Sequence, residues 1–384
     1  MMIYPREDER AIRVQRMVDD WTKSGLLQPE QRERMLADLA VDYRRTNKFL
    51  RITLFLFGFL IINALVGLVA VTSDLREGFG FVLMVAAVGV FFLAQWLIER
   101  YRVYRFGIEE AVAVSAVTFF GFGCAIFMRT GGFSSLRGFI GLAGAAFIVF
   151  SRFGYLYAGV AAVLFAGMFP FNFSIFSGLQ ADTPRRLMAI IMLLVIFGLA
   201  RERRKDHDWE FPGDLYGVLE TTAWAAIYLL TNLKISEWLS VPDDVPLFYW
   251  STYAFIWVLP SVGLLLAVID RHRWLLDANI VMAIVTMMTN KPYLNGVQHP
   301  WDPIVFGVLM IAIALGLKRW LASGPNGSRS GFIAERLLAS ERERLALAGG
   351  ATALAPGAPA PHSHPGPDVG GGGRSGGAGA SGKF

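Results

Sequence analysis

Apolar runs follow one another from Phe49 to Leu317, parted only by short polar clips. FLRITLFLFGFLIINALVGLVAV from Phe49, FGFVLMVAAVGVFFLAQWLI from Phe79 and LFYWSTYAFIWVLPSVGLLLAVI from Leu247 each approach or exceed the roughly 20 apolar residues that cross a hydrocarbon layer of about 30 Å. The pattern predicts an all-α, polytopic bundle of about ten transmembrane helices. Its spans begin near Phe49, Phe79, Ile108, Leu136, Gly154, Leu187, Leu215, Leu247, Trp274 and Pro303. Residues 138–151 and 187–200 hold short apolar runs that must borrow flanking residues or fail to cross, so eight spans is the alternative count.

The ends read differently. In residues 1–48, Ile12, Val14, Met17, Val18 and Trp21 recur at helical spacing, as do Met35, Leu36, Leu39 and Tyr43. Gly25 can stop the first helix and Pro29 can start the second, which predicts a helical hairpin ahead of the bundle at 49–320. This opening is too polar for a signal peptide, so the first span is expected to serve as its own insertion signal. Residues 331–349 place Phe332, Ile333, Leu337, Leu338 and Leu345 against interspersed Glu and Arg, the pattern of an amphipathic helix. Residues 350–384 are rich in Ala, Pro and Gly and are expected to form a disordered tail.

Hydrophobic residues make up 54% of the chain and charged ones 17%, against roughly 25% charged in a soluble domain. With one cysteine, Cys124, inside an apolar run, an internal disulfide framework is excluded. Positive charge supplies an independent test of the threading, because basic short loops stay cytoplasmic. With ten spans, the side of the N-terminus carries Arg44, Arg45, Lys48 and Arg51, then Arg100, Arg102 and Arg105, then Arg152. Arg201, Arg203, Arg204 and Lys205 follow there, then Arg271 and Arg273, then Lys318, Arg319 and Arg329. The far side carries Arg76, Arg129, Arg137, Arg185, Arg186, Lys234 and Lys291, a tally of 17 against 7. Both termini are therefore expected in the cytoplasm.

Boundary chemistry agrees with these cuts. Asp302 before Pro303 and Thr183 before Pro184 offer capping oxygens ahead of a proline suited to a first helical turn, and Asp214 and Asp277 can cap the spans after them. Trp209, Trp238, Trp250, Trp274, Trp301 and Trp320 fall near run ends, at headgroup level. Pro260 lies well inside the eighth run and is expected to kink it, leaving a carbonyl that a neighbour or water must satisfy. Glycine recurs in GFGFV from Gly78, FFGFG from Phe119 and GLAG from Gly141, and the last two are placed to let neighbouring backbones approach, as in ordinary helix packing.

WTKSGLLQPEQ, from Trp21 to Gln31, resembles the opening signature of a bacterial family of integral-membrane proteins filed as a domain of unknown function. The resemblance spans about 40 residues of hairpin, beyond which only the general plan is similar. It implies a bacterial inner-membrane protein with no assigned activity and carries over no catalytic residue.

Candidate chemistry is sparse. An ionisable group at membrane depth costs about 2.5–3.5 kcal/mol by insertion scales, so Glu220, about five residues into the seventh run, is the leading candidate for a functional carboxylate. Asn63 in the first run is the second candidate substrate-binding residue, with interhelical hydrogen bonding as its plainer role. Glu109 and Glu110 open the third run and suit its N-terminal dipole. His299 and Asp302 in HPWDP lack a further metal ligand nearby, which favours a turn and cap. His362 and His364 sit in the tail without preorganisation. No phosphate loop, HExxH or GxSxG occurs, so no catalytic residue, metal or cofactor is expected. RERRKDH, from Arg201, suits topology and anionic lipid rather than nucleic acid. The leading expectation is a non-enzymatic inner-membrane protein with a cytoplasmic docking surface for a protein partner. The alternatives are a secondary transporter or channel using Glu220 and midplane polar residues, and an intramembrane enzyme acting on lipid or an isoprenoid-linked substrate.

Overall fold

The computed structural model describes residues 3–23, 25–72, 78–127, 134–172, 182–207, 215–235, 246–270, 272–294, 299, 301–324, 328–329 and 332–333. Two short helices come first, α1 (Arg6–Lys23) and α2 (Pro29–Asp38). Ten more follow: α3 (Lys48–Thr72), α4 (Phe79–Tyr101), α5 (Ile108–Phe127), α6 (Ser134–Phe153), α7 (Leu156–Met168), α8 (Asp182–His207), α9 (Leu215–Thr231), α10 (Pro246–Ile269), α11 (Arg273–Tyr293) and α12 (Asp302–Ala322). Each predicted run thus contains one helix.

Length and apolarity separate them. Among the described residues five helices are long and apolar enough to cross a membrane: Lys48–Val69, Phe79–Tyr101, Ile108–Phe127, Asp182–Lys205 and Pro246–Ile269. That is the build of a multi-pass membrane protein. The run at 187–200 does borrow its flanks, since α8 extends it to 26 residues, and α6 embeds 138–151 in 20. The short helix is instead α7, with 13 residues and a 3-10 turn at Phe169–Asn172, because Pro170 cannot donate to a continuing α-ladder. α3 buries none of its apolar window, and Phe49, Phe57, Leu60 and Leu68 are exposed. In water so continuous an apolar face would be a severe association hazard. In lipid it is the matching surface.

The chain divides into two compact units, one of Met1–Ile3, Asp42–Asp206 and Leu215–Leu259, the other of Tyr4–Val41, His207–Asp214 and Pro260–Phe384. In the first, α5 is the hub, packed by α3, α4 and α6, while α7 packs on α6 and α9. Glycines set the closeness of these contacts. A Cβ at Gly80 would strike the Phe127 backbone, one at Gly121 the Leu142 side chain, and one at Gly141 would lie 2.9 Å from Cys124 Sγ. Gly78 and Gly144, from the same motifs, have open space instead.

In the second unit α1 and α2 form the expected hairpin. Gly25 takes the left-handed backbone at φ 73° that ends α1, and the Gln28 backbone N–H donates to Gln31 Oε1 at 3.0 Å at the start of α2. Gln15 Nε2 donates to the Leu39 carbonyl at 2.5 Å, and Arg32 Nη2 pairs with Asp19 at 2.9 Å. Further on, Asn279 of α11 is fully buried where Gly263 of α10 leaves room for its amide. α10 continues through Pro260.

Two expectations are corrected here. Asp277 caps no helix, because α11 starts at Arg273 and Asp277 sits one turn in, 3.6 Å from the Arg273 Nε. An amphipathic helix does not begin at Phe332. Phe332–Ile333 (β2) pairs antiparallel with Ser328–Arg329 (β1), as suits an aromatic and a β-branched residue. The rest of 331–349, the tail at 350–384, Asp214, Trp209, Trp238, His362 and His364 lie outside the described residues.

Candidate functional site

Polar ties between helix ends dominate the first unit. The first joins α3 to α5. The turn from Arg102 to Gly107 holds three left-handed residues, Arg102, Arg105 and Gly107, and a Cβ at Gly107 would strike the Arg51 carbonyl. That close approach lets Arg51 present its fork to Glu110: Nε donates to Oε2 at 2.7 Å and Nη2 donates to Oε1. The geometry is bidentate, the strong form of an arginine–carboxylate contact. Glu110 is buried and Arg51 half-buried. Glu109, also buried, accepts the backbone N–H groups of Phe106 at 2.5 Å and Gly107 at 3.1 Å. It therefore holds the first turn of α5, as its place at a helix N-terminus suggests.

The strand of chain ahead of α3 is tied to the same turn. Arg44 N–H donates to the Arg102 carbonyl at 2.8 Å, Tyr104 N–H donates back to the Arg44 carbonyl at 3.0 Å, and Asp42 pairs with Arg102 at 3.1 Å. At the ends of α4 and α6, Arg152 Nε donates to Gln95 Oε1 at 3.3 Å. Beside it a run of rings passes from Phe91 to Phe153, Tyr155 and Tyr157, with successive centroids 5.3, 5.6 and 5.4 Å apart.

α8 and α9 carry the deepest tie. One face of α8 is buried throughout: Arg186, Ala189, Leu193, Phe197, Ala200 and Arg204, spaced by three or four residues. An arginine stands at each end of that stripe. Arg186 Nη1 donates to the Leu230 carbonyl at 2.9 Å, the Phe197 ring lies 4.9 Å from that of Trp224, and Arg204 Nε donates to Glu220 Oε2 at 2.6 Å. These three rungs make the helices antiparallel. The two arginines are eighteen residues apart, about 27 Å at 1.5 Å per residue, close to a hydrocarbon thickness of about 30 Å. The Arg204 and Glu220 side chains are 5% and 0% exposed, so the pair is almost wholly withdrawn from solvent.

The two residues singled out as substrate-binding candidates have separate fates. Glu220 accepts the Arg204 guanidinium, and Asn63 Nδ2 donates to the Phe59 carbonyl of its own helix at 2.7 Å. Arg51, Arg152 and Arg204, read from the sequence only as topology charges, each make an interhelical contact. The signal for Arg204 was periodicity: it continues the apolar stripe of α8 rather than facing outward with Arg203.

In the second unit, Asp302 closes a turn. Its Oδ2 accepts the His299 N–H at 2.9 Å and its Oδ1 accepts Lys291 Nζ at 2.6 Å. Asp302 heads α12 outside its apolar run, and the Lys291 ammonium, first, and the His299 N–H hold its carboxyl below the usual carboxylate range. His299 stacks on Trp301 with centroids 5.7 Å apart rather than reaching for a ligand. Among the described residues no group of three or more His, Cys, Asp or Glu is placed to hold a metal ion. Comparison with protein-family models, with curated proteins and with solved structures finds no match for this chain.

Proposed function

We propose that this chain is a non-enzymatic, ten-span protein of the bacterial inner membrane, with both ends in the cytoplasm and a rigid cytoplasmic face on which a protein partner docks. One observation carries the reading. The ties Arg51–Glu110, Gln95–Arg152 and Arg204–Glu220 all fall at helix ends that the arginine tally puts on the N-terminal side. The Arg204–Glu220 tie occupies the carboxylate that the transporter reading would use, and the three together brace a face. The resemblance of Trp21–Gln31 to a bacterial membrane family is part of the same reading, and the hairpin that carries those residues is its docking element.

Partner recovery from native membranes tests it. Deleting residues 1–45 should abolish copurification of a defined partner while the bundle still inserts. Unchanged copurification refutes the docking role. Solute flux in proteoliposomes that disappears with Glu220→Gln would favour transport instead.

A further inference from the structure

α4, α5 and α6 enclose a crevice of about 150 Å³ lined by apolar side chains alone. Its floor is Ala116 and Val117 of α5, with Ala87 of α4 and Val149 of α6 as buried walls. Its rim is different. Val88 of α4 is 50% exposed and Ile148 of α6 is 54% exposed, so the crevice opens sideways between them. Gly144, one turn from Ile148 on the same face, has no atom near its missing Cβ and keeps that side of the rim low. α4 and α5 are both long and apolar enough to span a membrane. An opening beside α4 and above α5 faces acyl chains rather than water where those helices cross.

The polar groups lie at one end of the crevice. Gln95 is one turn beyond Phe91 in the lining, and Arg152 is three residues beyond Val149, about 4–6 Å along the axes. They meet through the Arg152 Nε contact with Gln95 Oε1 at 3.3 Å. Exposed Trp96 and Tyr101, with rings 5.6 Å apart edge to face, mark the same level as headgroup depth. Arg100 is exposed there too, and Glu99, which accepts from Gln95 Nε2 at 2.9 Å, is the opposing charge. The layout is a dry slot under a cationic rim.

We propose that the crevice is a lipid site holding one acyl chain of an anionic phospholipid from the leaflet bordered by Arg152, with the phosphate at Arg152. An apolar cavity of this size takes a molecule of about six carbons, as an engineered one that binds benzene does, so it seats one segment of the chain. The remainder lies along the Val88 and Ile148 rim. A protein partner would have to bring an apolar side chain through lipid, whereas an acyl chain is already there. Charge selects the headgroup.

Native mass spectrometry of the full chain, released from mild detergent after equilibration with phosphatidylglycerol or phosphatidylcholine, tests the proposal. The unaltered chain should retain one phosphatidylglycerol and little phosphatidylcholine. Ala116→Phe fills the floor and should cut retention by about tenfold or more. Val88→Trp blocks the rim without altering the buried walls, and should do the same even if the floor variant unfolds. Arg152→Gln should weaken retention about fivefold and shrink the preference for the anionic lipid. Equal retention of both lipids, unmoved by any variant, would mean annular lipid only and overturn the proposal. Loss with Arg152→Gln but not with Val88→Trp would place the lipid on the surface charge alone, which also overturns it.

Discussion

Removing one partner of the Arg204–Glu220 pair probes the most buried charge contact in the first unit. At 2.6 Å, two unit charges attract by about 6 kcal/mol at an effective dielectric of about 20. Desolvation of two ions offsets much of that, so the pair contributes little net stability as a pair. Its breakage is another matter. With the side chains 5% and 0% exposed, neither survivor can reach water, and a lone buried charge costs about 3–5 kcal/mol. Glu220→Gln and Arg204→Leu should each lower the melting temperature by about 6–15 °C. The double variant Arg204→Leu with Glu220→Leu should recover most of the loss, since matched apolar residues replace buried pairs at little cost. Cys124 supplies the assay, because the chain has no other thiol and this one is half-buried beside Gly141 of α6, so its labelling should quicken as the unit opens. A fluorogenic maleimide in detergent then reports unfolding of that unit as the temperature rises. Interhelical hydrogen bonds in membranes average only about 0.6 kcal/mol, which defines the failing result. Single losses under about 1 kcal/mol, or a double variant no better than the singles, would refute a clamp.

Arg51→Lys keeps the charge but loses the fork to Glu110, so it should destabilise by about 1 kcal/mol, less than Arg51→Ala, in the same thiol assay. Gly80→Ala should destabilise, because its Cβ meets the Phe127 backbone, whereas Gly67→Ala, with open space, should be neutral or stabilising by about 0.5–1 kcal/mol. Asp302, held below the ordinary carboxylate range by Lys291, contributes stability that is present above its unfolded value of about 3.9 and lost as pH falls through its lower folded value. In Lys291→Met the folded value moves back toward the unfolded one, so stability at neutral pH should be lower and the acid loss smaller, read from melting curves between about pH 2 and 6.

Apolar runs were legible because lipid-facing helices leave no polar interruption: Phe49, Phe79, Ile108, Leu187 and Leu247 each open or fall at the head of a helix able to span. The glycine contacts at Gly121 and Gly141 were legible as small residues among large ones, whereas that at Gly80 against the Phe127 backbone was not. Partnership was not. Arg51 and Glu110 are 59 residues apart and Arg204 and Glu220 are 16 apart, on different helices, and composition says only that each is charged. The inward arginine of α8 could have been found from its register with Leu193, Phe197 and Ala200. Phe332 and Ile333 misled because an amphipathic pattern over nineteen residues outweighs two that pair locally as strand.

Protease protection in intact spheroplasts, with one epitope tag at Met1 and another at Phe384, tests the central claim most directly. Ten crossings leave both tags inside, so external protease should remove neither until the membrane is opened. Digestion of one tag alone in sealed spheroplasts would mean an odd number of crossings and contradict the account.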